Sequence, residues 1–248
     1  MTGRMLATLM ALLALAACQT RSISDSGFYD QYAYAGNRNP FYQGEIDELD
    51  LIVPQGEKLA AESEIAQALA VAKPIGAVKN QPLLVVQSGA IMPDELMMQA
   101  LSADFTAAPF SGIPPRKEAS TSTEQLTYGE RLRLAAANGG FHQIFVYWGM
   151  LETAQTDGPT KVISWVPIIG AVVPDESQRM RIQLKGALID VVSGRWRMFQ
   201  PEPIEDSAIS ASINRVSTDQ DQVGKLKQIG YVGLARLLAD SAVPLEGN

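Results

Sequence analysis

Two side chains occur only once in the chain, the thiol of Cys18 and the imidazole of His142. A thiol can act as a nucleophile or a metal ligand, and an imidazole can move protons or bind zinc. A single cysteine has no disulfide partner, and one cysteine with one histidine cannot supply the usual zinc ligands. The sequence therefore predicts no metal site and no cofactor, and Cys18 needs another explanation.

The residues before Cys18 have the three parts of an export signal. Arg4 supplies a positive start, residues 5–15 form an uncharged apolar run, and two alanines precede the thiol. The run is too short to span a bilayer, which needs about 20 residues, but it has the length of a signal-peptide core. Residues 15–18, Leu-Ala-Ala-Cys, look like a lipobox, so we expect cleavage before Cys18 and acylation of its thiol. A secreted protein with a chance cysteine is the alternative.

This interpretation divides the chain into a signal peptide at residues 1–17, a lipidated tether at 18–55 and a single periplasmic α/β domain at 56–248. Lipoproteins with Asp after the cysteine tend to stay in the inner membrane, so Gln19 favours the outer membrane. The membrane partner would be reached through acyl chains such as palmitate, each buried methylene adding about 0.8 kcal/mol. The formal net charge of −7 leaves no electrostatic footprint for nucleic acid.

Six aromatic residues crowd into the tether, although flexible linkers lack aromatics. They form either a strap packed on the domain's own surface or a docking segment for a partner or cell-wall glycan. An acidic run follows at residues 45–50 and is interpreted as a solvated face. The aromatic residues are Phe28, Tyr29, Tyr32, Tyr34, Phe41 and Tyr42.

Sequence motifs for catalysis are missing from the chain. It contains no G-x-S-x-G elbow, no HExxH, no Walker A and no G-x-G-x-x-G pattern. His142 precedes an apolar run and is interpreted as a residue at a strand end. Asp190 opens an Asp-x-x-Ser-Gly turn that ends at Gly194, and we expect its carboxylate to hydrogen-bond the turn backbone rather than to react. An enzyme using paired carboxylates or Ser is kept as an alternative.

Apolar periodicity predicts the elements that would position these residues. Ala61, Ile65, Leu69 and Ala72 fall on one stripe of an amphipathic helix that Pro74 ends. The wholly apolar run at 144–148 is predicted at the sheet centre, and 105–113 at an edge. The pattern predicts an α/β fold with a mixed sheet of about four to five strands packed by helices. Further strands are expected at 83–86, 179–192 and 195–198, and further helices from 93, at 123–137 and at 219–240.

Three segments together resemble the periplasmic α/β domain of the curli-secretion lipoprotein (CsgG-like) group, which is similar to the amino-terminal domain of TolB. They are LLVVQSGAIMPDELMMQAL, LRLAAANGGFHQIFVYWGMLE and RIQLKGALIDVVSGRWRMF. The resemblance covers roughly residues 80–240 and implies a TolB amino-terminal or anticodon-binding-domain-like sandwich in the envelope. Members of the group include secretion pores, accessory lipoproteins and activators of cell-wall enzymes, and the resemblance supplies no catalytic residues.

The strongest candidate interaction surface is residues 162–173, an apolar run that Pro167 interrupts. It lacks the alternation of a transmembrane β-strand, which argues against a pore. It could be a hairpin packed on its own core, a contact for another copy or another protein, or a segment that touches lipid. The residues proposed to interact are Val162, Ile163, Trp165, Val166, Ile168, Ile169, Val172 and Val173.

These observations favour a non-enzymatic cell-envelope lipoprotein. We expect it to act as an accessory or assembly subunit of a complex for secretion, polysaccharide export or cell-wall work. It would form homo-oligomers or bind an envelope protein at the periplasmic face of the outer membrane. An envelope hydrolase or peptidase, or a glycan-binding accessory lipoprotein, are the alternatives.

Overall fold

A computed structural model describes residues 22–25, 39, 41–53, 62–114, 126–157, 162–167, 178–208 and 215–243. Cys18, Phe28, Tyr29, Tyr32 and Tyr34 lie outside the described residues, as do residues 168–177 of the apolar run. The boundaries expected for the signal peptide, tether and single domain stay predictions.

Among the described residues, helices and strands alternate from residue 62 to 157, and four further strands precede the last helix. The helices are α1 (Glu48–Ile52), α2 (Glu62–Val71), α3 (Glu95–Leu101), α4 (Tyr128–Asn138) and α5 (Arg215–Asp240). The strands are β1 (Pro82–Gln87), β2 (Thr106–Phe110), β3 (Gln143–Asp157), β4 (Val162–Pro167), β5 (Gln178–Asp190), β6 (Trp196–Phe199) and β7 (Ile204–Ala208).

The strands form one mixed sheet in the order β2-β1-β3-β5-β6, with β4 beside β3 and β7 beside β5. Strand β1 runs parallel to β2 and β3, whereas β5 runs antiparallel to β6. The predicted α/β fold with an open mixed sheet packed by helices is therefore confirmed. The apolar run at 144–148 lies in the central strand β3, and β2 lies at an edge, both as predicted.

Chain contacts define two compact units. The first, here called the helix-covered unit, comprises Phe41–Trp148, Leu184–Glu202 and Gln228–Asn248. Its central strands β1 and β3 are buried on both faces here, as expected for parallel strands, whereas the edge strands β2 and β6 are largely exposed. One face packs against α1 and α4 through Leu51, Leu132 and Ala136. On the other face, Leu234 of α5 lies beside Gly186 and the Phe145 ring.

The second unit, here called the hairpin unit, comprises Met1–Pro40, Gly149–Gln183 and Pro203–Lys227. Residues 152–157 of β3 pair antiparallel with β4, and residues 178–182 of β5 pair antiparallel with β7. Ser22 forms an antiparallel bridge with Met150, and Ile23 N donates to Gly149 O at 3.0 Å. The apolar run at 162–173 therefore begins as the second strand of a β3–β4 hairpin.

Helix boundaries differ from the prediction where capping decides them. Helix α4 begins at Tyr128 and not at Thr123, because Thr127 and Glu130 form a reciprocal capping box. Asp47 of the acidic run caps the short helix α1 by accepting from the backbone N–H groups of Leu49 and Asp50. That helix was not predicted, since its five residues are too few for a periodic pattern.

Candidate functional site

A groove of about 430 Å³ opens on the helix-covered unit between α1, α2, α4 and the β5–β6 turn. This volume is within the range of small-molecule sites. Among the described residues, three cationic side chains line it beside one carboxylate, that of Glu130. We call it the cationic groove. Its lining is Leu51, Ile52, Val53, Ala68, Ala72, Lys73, Thr127, Gly129, Glu130, Arg133, Ser193, Gly194, Arg195 and Trp196.

The β5–β6 turn forms one wall of the groove, and its conformation is set by residues 190–194. Asp190 Oδ1 accepts hydrogen bonds from Ser193 N at 2.7 Å and from Ser193 Oγ at 2.5 Å. Gly194 has φ +69°, a left-handed conformation that side chains disfavour. Asp190 thus hydrogen-bonds the turn, and its carboxylate is engaged there.

The guanidinium of Arg133 lies directly over Gly194. A Cβ atom on Gly194 would come within 2.5 Å of Arg133 Nη1. Arg133 donates from Nε to Val191 O at 2.9 Å and from Nη2 to Val192 O at 2.8 Å. Because two backbone carbonyls fix the guanidinium, it is held in one orientation at the groove before any ligand arrives.

The second guanidinium, that of Arg195, is also held by uncharged acceptors. It donates from Nε to Ser193 Oγ at 3.1 Å and from Nη1 to Lys73 O at 3.2 Å. Within the described part of the chain, neither Arg133 nor Arg195 forms an ion pair with a carboxylate. Asp190 reaches Arg195 only through the Ser193 hydroxyl. An acidic protein therefore presents two oriented guanidinium groups on one groove wall.

The opposite wall is apolar and is supplied by α2. Ala68 and Ala72 line the groove, whereas Ile65 and Leu69 on the same helical stripe are 52% and 72% exposed. An amphipathic helix normally buries such a stripe. Trp196 and Val53 extend this apolar surface, at 46% and 49% exposure. The groove thus combines exposed apolar side chains with cations.

A second polar cluster is buried at the carboxyl end of β1. Tyr147 Oη donates to Gln87 Oε1 at 2.5 Å, and Tyr231 Oη donates to Asp94 Oδ2 at 2.6 Å. Burial raises the pKa of Tyr147 and of Tyr231 well above the ordinary 10.0. The negative charge of Asp94 adds to both increases, while the Asp94 backbone N–H lowers the pKa of Tyr147 by a smaller amount. Both hydroxyls therefore stay protonated at neutral pH and act as donors, not as bases.

Residues 42–46 cover this end of the sheet. Strand β1 lies between its two parallel neighbours β2 and β3. In open α/β sheets, ligands bind in the crevice at the carboxyl ends of two such strands, here β1 and β3, where the connections lead in opposite directions. Here Ile46 N donates to Ser88 Oγ at 2.7 Å, and Trp148 Nε1 donates to Ile46 O at 2.9 Å. The Tyr42 ring packs against Gly89, since a Cβ atom built on Gly89 would lie 2.7 Å from Cε2 of that ring. Residues 42–46 therefore occupy the crevice, and we assign the buried tyrosine cluster beside it a structural role.

A third polar group lies in the hairpin unit, where Glu152 is 6% exposed. Its Oε2 accepts from Gln183 Nε2 at 2.9 Å and forms an ion pair with Arg181. The pair joins β3 to β5 and satisfies a carboxylate that would be costly to bury alone.

The structure places the sequence-predicted residues in separate regions. Asp190 and Gly194 border the cationic groove, whereas the backbone of residues 162–167 forms β4 in the hairpin unit. His142 is exposed, and no cluster of three metal-ligating side chains occurs in the described ranges. Sequence reasoning missed Arg133, since it contacts a turn 58 residues away.

Comparison with known proteins gives one family. Residues 47–241 match the model of the family described as YafT bacterial lipoprotein. No curated protein matches the chain. Over the described residues, none of the helices has the length and apolar character needed to cross a membrane.

Proposed function

Because this chain belongs to the YafT bacterial lipoprotein family, we propose that Cys18 carries its lipid anchor after removal of residues 1–17. The apolar core at 5–15 and the alanines before the thiol support this assignment. Cells labelled with palmitate should yield labelled protein, and the Cys18→Ala variant should lose the label and keep a longer amino terminus by mass. Label that persists in the variant would refute acylation at Cys18.

The proposed location is the outer membrane, with the folded units in the periplasm. Gln19 at the position after the cysteine supports it, by the sorting preference against Asp. Gln19→Asp should therefore move the protein to the inner-membrane fraction on a density gradient. Ser26→Asp, which adds the same charge further along the chain, should leave the distribution unchanged.

The proposed role is that of a non-enzymatic assembly subunit that self-associates, and the character of the sheet edges supports it. Strands β2, β6, β4 and β7 each pair with one described strand only. Edge strands resist unwanted pairing when they contain proline or charge. Pro109 lies inside β2, Arg197 inside β6, and Glu205 with Asp206 inside β7.

Residues 162–166 of strand β4 have neither protection. Its sequence VISWVP carries no charge, and its proline is the last residue. No described strand pairs with its outer edge. An unprotected apolar edge is a template for the same strand of a second copy, and a two-fold axis would make that contact self-complementary. We therefore assign the partner of β4 as a second copy of this chain.

Light scattering of the full mature chain carrying Cys18→Ala tests this proposal. The parent should be a dimer or larger, and Ser164→Lys in β4 should be a folded monomer. Ser207→Lys in β7 makes the same change on the charged edge, and should leave the oligomer intact. Ile168→Asp and Ile169→Asp should also give folded monomers, whereas their unfolding would favour packing of this run in the core. A parent that is monomeric at all concentrations would refute self-association.

We also propose that the chain is related to the curli-secretion (CsgG-like) and TolB-like groups. The order of β1, α3, the edge strand β2, α4, the central strand β3 and the β5–β6 hairpin supports it. If the chain is related to these groups, such a subunit would serve secretion, polysaccharide export or cell-wall synthesis.

A further inference from the structure

We propose that the cationic groove docks the helix-covered unit onto an anionic phospholipid surface, independently of any lipid on Cys18. The headgroup phosphate would lie between Arg133 and Arg195, with Lys73 beside it. Trp196, Val53 and the α2 stripe would contact the interface around the headgroup.

Charge complementarity is the first argument. The chain as a whole is acidic, with net charge −7, and would be repelled by anionic lipid. Yet the described lining of the groove gathers Lys73, Arg133 and Arg195 with Glu130 as its one carboxylate. Glu130 is itself engaged, since its Oε2 accepts from Thr127 N at 2.8 Å. Guanidinium groups bind phosphate through paired N–H donors, and these two are held by uncharged acceptors.

The apolar surroundings are the second argument, because a free phosphate would need only the cations. Val192 lies in the turn that both arginines contact, and its side chain is 80% exposed. Leu69 on α2 is 72% exposed. Trp196 is half-exposed at the groove, and tryptophan favours the membrane–water interface. Exposed apolar side chains beside basic ones are the composition of an interfacial membrane contact.

The test uses the full mature chain with Cys18→Ala, so that no acyl chain contributes. Co-sedimentation is measured with vesicles of phosphatidylcholine alone and with vesicles containing phosphatidylglycerol. The parent should bind the anionic vesicles about tenfold more tightly or better, and added salt should weaken that binding. Arg195→Gln, Lys73→Gln and Trp196→Ala should each weaken it about fivefold.

Matched controls lie on the same unit. Lys79→Gln removes an equal charge from a pair with Asp104, and Phe110→Ala removes an exposed aromatic ring from the edge strand β2. Both should bind like the parent. Lys73→Gln keeps the test valid if Arg195→Gln disturbs the turn, because the Lys73 side chain forms no hydrogen bond with a described residue, and only its backbone oxygen accepts one, from Arg195.

Three results would overturn the proposal. The first is equal binding to neutral and anionic vesicles. The second is an unchanged affinity in all three groove variants, or an equal loss in the controls. The third is full displacement from vesicles by inorganic phosphate at a matched ionic strength, which would make the groove a site for small anions.

Discussion

Gly194→Ala tests the arrangement of the groove wall most directly. At φ +69° an alanine costs about 1–2 kcal/mol in backbone strain, partly offset by about 0.4–1 kcal/mol from a less flexible unfolded chain. Its Cβ would also meet Arg133 Nη1 at 2.5 Å, so the guanidinium has to shift from its place against Val191 O and Val192 O. Loss of both hydrogen bonds, one part-buried and one exposed, would cost about 1–2 kcal/mol. The expected loss in the free energy of unfolding is about 2 kcal/mol, within a range of about 1–3.5 kcal/mol.

Gly140→Ala separates the two contributions. Gly140 has φ +79°, but a Cβ there meets no atom within 4 Å, so only the backbone strain applies. Urea unfolding followed by circular dichroism should show a loss of about 1 kcal/mol for this control, with an unchanged slope. In an Arg133→Ala background, Gly194→Ala should fall to the same value. Equal losses in the two glycine variants, or no reduction in that background, would show that Arg133 does not lie over Gly194.

Three further predictions concern buried polar groups. Tyr231→Phe removes the 2.6 Å bond to Asp94 and should cost about 1.5–3 kcal/mol in urea unfolding. Tyr128→Phe should cost nothing, because the buried Tyr128 hydroxyl has no hydrogen-bond partner among the described residues, and a larger loss for Tyr128→Phe than for Tyr231→Phe would contradict this. Burial raises the pKa of Tyr128 from 10.0 to about 12, because the folded state disfavours the phenolate. Stability is therefore unaffected by this group below pH 10 and falls as the pH rises towards 12; Tyr128→Phe should flatten that fall, and an unaltered profile would argue against it. Glu152→Ala leaves Arg181 without this carboxylate and should cost about 3–5 kcal/mol in chemical unfolding. Asp104→Ala breaks the exposed pair with Lys79 and should cost under about 1 kcal/mol. Similar losses in the two variants would mean that Glu152 is not buried.

Local pattern was enough to predict the core of the fold. The apolar runs at 83–86 and 144–148 lie in strands buried on both faces, and their shortness favoured a strand over a buried helix. The Ser193-Gly194 signal marked the β5–β6 hairpin, since only glycine adopts that φ without strain. Strand β7 was missed because its sequence IEDSA is acidic and does not alternate.

The cationic groove depends on contacts between distant parts of the chain, which no local pattern contains. Arg133 is on a helix and meets the turn at Val191, and Arg195 meets Lys73 across 122 residues. The α2 stripe was visible in the sequence, but its periodicity is the same whether the stripe is buried or exposed. The exposure of Leu69 depends on which parts of the fold pack against α2.

The segment that follows the proposed anchor has a mechanical consequence. With the lipid on Cys18, any pull between membrane and protein enters the chain from its amino terminus. Ser22 and Ile23 meet that load first, through the bridge to Met150 and the bond to Gly149 O. Further along, Ile46 is fastened to Ser88 and Trp148. Along the described residues these two attachments lie in series, and force on the anchor would have to break both before it reached helix α1.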